Sequence, residues 1–148
     1  MPVNMHRNTP PLSQDAALVL ALAGTAVPFA HSAEDEVERW LRALRMHGQV
    51  GAALQALGVG EGSLITGSDP AENHGTRAFG TGVVDEIARL AGGFAIARKS
   101  DTLGTVDVLF AVLQVYDRLL DRALYARGTS REELFEQLVV VEPTVNLA

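Results

Sequence analysis

The chain has 148 residues, 47% hydrophobic and only 5% aromatic, with a net charge of −6 and no cysteine. That length holds one domain of ordinary size, or two small halves sharing a core filled mainly by Ala, Leu and Val. The acidic balance argues against nucleic acid, whose phosphates need clustered Lys and Arg, and the missing cysteines exclude disulfides, thiol nucleophiles and Cys-based zinc sites.

Residues 1–12 are polar and Pro-containing and read as an extended arm. Ser13 offers an N-cap for a first helix to about Ala26, which Pro28 stops because it lacks an amide donor and disfavours helical geometry before it. The run Ala17 to Val27 imitates a secretion signal. Asp15 abutting it, and the plainly internal run Glu86 to Ala97 at the equivalent place later on, argue for a core helix instead. The run is also short of the roughly 20 apolar residues that span a membrane. Ser32 caps a second helix with Glu34, Asp35 and Glu36 in its first turn, where the helix dipole favours anions. Val37, Trp40, Leu41 and Leu44 recur on one face of it. Gly48 punctuates, Val50 to Leu57 forms a third helix stopped by Gly58, and a weaker fourth runs from about Gly60 to Ile65.

Residues 66–82 are polar and Gly-rich and read as a connector. A helix then follows from Val83 to Ala97, and a loop around Ser100 to Gly104. Thr105 to Ala126 reads as two helices or one bent helix, with Val106, Leu109, Phe110 and Leu113 on one face. Arg118 and Arg122, with Asp117 and Asp121, read as an ion-paired exposed face. Gly128 stops this run. Thr129-x-x-Glu132 and Ser130-x-x-Glu133 both offer capping boxes for a last helix to about Val140, and Leu138 to Glu142 is the one stretch with an extended alternative.

A repeat organises these elements. Ala53, Leu54, Ala56, Gly58 and Leu64 return as Ala123, Leu124, Ala126, Gly128 and Leu134, 70 positions on (53 to 123). Val37, Trp40, Leu41 and Leu44 match Val106, Leu109, Phe110 and Leu113 at 69 (37 to 106). The expected fold is therefore all-α: two pseudo-symmetric four-helix repeats at 13–65 and 83–140, about eight helices, joined by the connector and ending in a tail at 141–148.

In the order and spacing of Val19 to Ala23, Ala52 to Gly60, Phe79 to Ile87 and Leu103 to Leu113, the chain resembles the Clp N-terminal repeat domain. That domain stands at the front of ClpA- and ClpC-type AAA+ unfoldases, and the resemblance covers nearly the whole chain. Gly104 and Thr105 sit where the family has a Gly-Thr-Glu-His-Leu-Leu-like helix start, but Val106 and Asp107 replace its Glu-His. In the first half the motif is eroded to Glu36-Val37-Glu38-Arg39, with either Val37 or Glu38 at the Glu position. In some relatives those glutamates bind phosphorylated arginine, a contact Val106 does not make. No GxxxxGK[ST] loop is present, so an ATP site of that kind is absent.

His6, His31, His47 and His74 fall in an arm, loops or helix ends without metal spacing, and Asp69, Glu72 and His74 read as a solvated loop. No serine lies in a G-x-S-x-G elbow. Trp40 and Tyr116 read as core or half-buried anchors. No catalytic residue, cofactor or metal is expected. The resemblance implies a free-standing cytoplasmic adaptor or accessory factor that binds a protein or peptide, such as a Clp ATPase or its substrates, with no membrane partner. Its candidate contact residues are Glu36, Glu38, Arg39, Phe79, Thr105 and Asp107. The alternatives are a decoy for cyclic-peptide antibiotics that target the chaperone, and a helical small-molecule binder or enzyme.

Overall fold

The computed structural model describes residues 9–59 and 82–141, and side chains as far as Leu138. Within them the chain is all-α. Seven helices are present: α1 (Gln14–Ala26), α2 (Ala33–Met46), α3 (Gly48–Ala56), α4 (Gly82–Ala97), α5 (Thr105–Tyr116), α6 (Arg118–Ala126) and α7 (Arg131–Val141), with a 3-10 turn at Val27–Phe29 after α1. Leu12 and Leu103 form the one bridge between extended residues among those described. The expected fourth helix at Gly60 to Ile65, and Phe79, lie outside the described residues.

Helix starts follow the caps in the sequence. Ser13 Oγ accepts the Ala16 amide at 3.0 Å, and Ser32 Oγ accepts the Asp35 amide at 3.0 Å while Asp35 takes the His31 amide at 2.9 Å. At α7 the competition between two capping boxes is resolved: Ser130 Oγ accepts the Glu133 amide, and Thr129 instead donates its hydroxyl to the Glu133 carboxylate. Leu138–Val141 continues α7 and is not extended, since neither Gly nor Pro interrupts the helix before Pro143.

Two helix ends share one backbone geometry. Gly58 and Gly128 are left-handed, with φ of 81° and 83°. In each stop the glycine amide donates to the carbonyl three residues back (Gln55, Tyr125), and the next amide to that five back (Leu54, Thr129 to Leu124). The residues after the glycines, Val59 and Thr129, are turned inward and buried. Two further breaks had no glycine to announce them. Lys99 adopts φ 59° in the same kind of cap after α4, and Asp117, at φ 48° and ψ −111°, separates α5 from α6. The span from Thr105 to Ala126 is thus two helices.

Packing centres on α2 and α5, which touch each other and carry α6 and α3 respectively against their flanks; α4 lies along α5. Trp40, Leu44, Leu54, Ile87, Leu109, Leu120, Leu124 and Leu134 are the largest apolar side chains sealed inside. Burying each is worth roughly 1.5–3 kcal/mol. Phe94, Phe110 and Phe135 meet in series, the first pair tilted and the second edge-to-face, with centroids 5.6 and 5.9 Å apart, fastening α4, α5 and α7. Because α5 is central, its buried surface is wider than a single stripe. Val108, Val112 and Tyr116 are interior along with Leu109 and Leu113, whereas Val106 and Phe110 are only half-buried. The helix starts lie 72 positions apart (33 to 105), not at the 69 suggested by the apolar match.

Candidate functional site

Glu36, expected as a partner-contact residue, is 1% exposed. It sits four residues before Trp40, on the face that α2 turns toward α5, so the helix repeat carries its carboxylate inward. There Oε1 accepts the Tyr116 hydroxyl at 2.7 Å, joining residues 80 positions apart. Burial pushes the Tyr116 phenol well above its usual pKa near 10, and the Glu36 hydrogen bond and charge push it further. The Trp40 indole N–H lies beside the phenol and offsets part of that shift, yet has no partner of hydrogen-bonding geometry among the described residues. Glu36, Trp40 and Tyr116 form a polar knot inside the apolar core.

Thr105 and Asp107 are likewise interior, at 3% and 0% exposure. Thr105 is where the beginnings of α3 and α5 meet. Its Oγ1 lies 3.5 Å from the Val50 amide, and a Cβ on Gly48 would come within 2.8 Å of its methyl group. Gly48 is itself left-handed at φ 80°, so both backbone geometry and space demand glycine. Asp107 takes the Gly104 amide on Oδ2 at 2.9 Å, one half of a capping box that glycine has no side chain to complete. Arg98 grips the same carboxylate as a fork, at 2.9 and 2.7 Å, from beyond the end of α4.

The other two described candidates are half-buried and engaged within the chain. Glu38 pairs with Arg127, whose second arm donates to the Ala123 carbonyl at 2.8 Å. Arg39 donates to Asp35 at 3.1 Å and to the Ala26 carbonyl at 3.2 Å, tying the end of α1 to α2. The structure therefore brings Glu36, Glu38 and Arg39 together on α2 and Thr105 and Asp107 on α5, with most of their polar atoms directed at other parts of the same molecule. The partners Tyr116, Arg98 and Arg127 were missed as polar residues. For Glu36 a signal was available, since a carboxylate in register with Trp40 and Leu44 falls on the buried face.

Asp117 and Asp121 do not pair with Arg118 or Arg122 as the sequence suggested. Both carboxylates turn to Arg131 at the start of α7, which holds Asp121 at 2.9 and 2.8 Å and Asp117 at 3.4 Å. The Asp121 bond raises the pKa of Arg131, against a smaller lowering by desolvation. Beside this pair is an open depression of about 330 Å³, bordered by Arg122, Tyr125, Ser130 and Arg131.

Among the described residues no three His, Asp or Glu side chains converge as a metal site, and no helix is long and apolar enough to cross a membrane. His6, His74, Asp69 and Glu72 lie outside those residues. No protein-family model matches the chain, and no curated protein matches it.

Proposed function

We propose that the chain is a non-catalytic protein- or peptide-binding module of the Clp N-terminal repeat kind, built from two pseudo-symmetric halves and acting in the cytoplasm on a Clp-type unfoldase or its clients. The observation that carries this reading is the paired helix stop: Gly58 and Gly128 have the same left-handed geometry and the same two backbone bonds. The packing adds support, because α2 against α6 and α5 against α3 are the reciprocal contacts a two-fold relation requires.

Aligning the helix starts sets Ala33-Glu34 of α2 against Thr105-Val106 of α5. On that register the exposed Glu34 stands beside Val37 and Glu38 as a third choice for the family's glutamate in the first half. A surviving phosphoarginine contact would then be single and lie on the first two turns of α2. The test is reconstitution with a purified ClpC-type ATPase and its protease, following degradation of an unfolded fluorescent client. A dose-dependent change in rate supports the adaptor reading; an unchanged rate, with no complex in sedimentation, removes it.

A second reading, capture of an apolar cyclic peptide before it reaches the chaperone, draws on Leu18, Leu22 and Phe29. These are 39%, 38% and 69% exposed around α1 and the turn that follows it, in a run without charge from Ala16 to Ala30. Calorimetric titration with such a peptide decides it, since no heat at micromolar protein excludes a useful decoy.

A further inference from the structure

The best-defined unpartnered charge on the surface belongs to α6. Its inner face is Leu120 and Leu124, both sealed in the core, so Arg118, Arg122 and Tyr125, at i, i+4 and i+7, line up on the outer face. In sequence each arginine has an aspartate beside it, and that neighbourhood normally neutralises such a stripe. Here Arg131 holds Asp121 by two bonds and reaches the exposed Asp117 only with a long third at 3.4 Å, and neither aspartate bonds to Arg118 or Arg122. Arg118 and Arg122 are exposed and have no ion pair among the described residues. Tyr125 is 80% exposed, more than any other large hydrophobic side chain described, and the depression beside it runs along Arg122, Ser130 and Arg131.

We propose that this stripe is a docking site for an acidic peptide segment of a protein partner. Guanidinium forks take carboxylates bidentately, and an exposed tyrosine supplies flat contact area at little entropic cost. Arginines one turn apart lie roughly 5–6 Å from each other, matching carboxylates at i and i+4 of a helix or alternate positions of an extended strand. An apolar or aromatic residue between those carboxylates enters the depression against Tyr125. Glu132, on its rim, repels a densely charged polyanion, which favours spaced carboxylates over a nucleic-acid backbone. None of the residues used for the proposed Clp-like function takes part, so either idea stands if the other fails.

The test is fluorescence anisotropy of the full chain with a fluorescein-labelled Glu-Phe-Glu-Gly-Glu-Phe-Glu peptide at low salt. The chain's charge of −6 gives an acidic peptide no general attraction, so binding reports the stripe alone. The expected result is saturable binding that weakens with salt and falls at least ~10-fold in R118E/R122E and several-fold in Y125A. R42E, at an exposed arginine of α2, should leave it unchanged. The two α6 arginines hold no structural bond, so the double variant should keep its helical circular dichroism. Absence of binding, an equal loss in R42E, or tighter binding of a single-stranded oligonucleotide at the same residues overturns the proposal.

Discussion

The Tyr116 hydroxyl donates to Glu36 at 2.7 Å across 80 residues of sequence, inside a core that is otherwise almost wholly apolar. Both groups are buried, so neither has water to fall back on. Tyr116→Phe keeps the ring and removes one partner, leaving Glu36 short of a donor. The expected loss is about 1–3 kcal/mol by urea denaturation, with the slope of the transition unchanged. A loss below ~0.5 kcal/mol would show that the bond is exchanged for another at no cost.

The same pair sets an alkaline limit on stability. The folded-state pKa of Tyr116 is raised, so above pH ~10 the unfolded chain releases a proton that the folded chain retains. Stability is fully present below that pH and declines above it by about 1.4 kcal/mol per unit from this group. Tyr116→Phe should flatten the decline. The comparison is clean because Lys99 is the chain's one lysine.

Asp107 and Arg98 should respond unequally to substitution. The aspartate is wholly buried while the Arg98 side chain is 41% exposed. Asp107→Ala removes both the fork's target and the Gly104 acceptor, with a cost of roughly 2–4 kcal/mol. Arg98→Ala should cost the more of the two, because it strands a wholly buried carboxylate with the Gly104 amide, whereas the guanidinium left by Asp107→Ala is open to solvent. Equal melting temperatures for the two variants would contradict this assignment.

Among the described residues, Lys99 and Asp117 carry left-handed backbone without being glycine. Lys99→Gly and Asp117→Gly should each stabilise the fold by ~0.5–1.5 kcal/mol, relief of strain exceeding the added freedom of the unfolded chain. At Asp117 the gain is net of a long, solvent-exposed bond to Arg131. The opposite changes, Gly58→Ala and Gly128→Ala, should cost about 1–2 kcal/mol each, similar in size because neither site offers steric conflict beyond the backbone itself. Gly48→Ala should cost more than either, having Thr105 in the way.

What the sequence revealed follows from locality. Ser13, Ser32, Gly58 and Gly128 act within five residues, and each marks the helix boundary it was expected to mark. Lys99 and Asp117 break helices without a residue type that advertises it. The candidate site was least legible, because acidic residues in the first turn of α2 are adequately explained by the helix dipole. Only the position of α5 shows that Glu36 serves the interior while Glu34 faces outward. Likewise, Asp117 and Asp121 have arginines one residue away, and nothing local says that Arg131 will outcompete them.

The hydrogen bond between Glu36 and Tyr116 also bears on how the chain can be divided. A fragment ending at Val59 would turn a carboxylate inward without the phenol that donates to it, and one beginning at Gly82 would expose the phenol with the apolar flanks of α5 and α6. Each piece separately carries a reason to stay unfolded, and that reason vanishes only when they meet. Mixed together, the two fragments should assemble with a concentration-dependent gain in helix, making this buried contact the basis of a split-protein reporter.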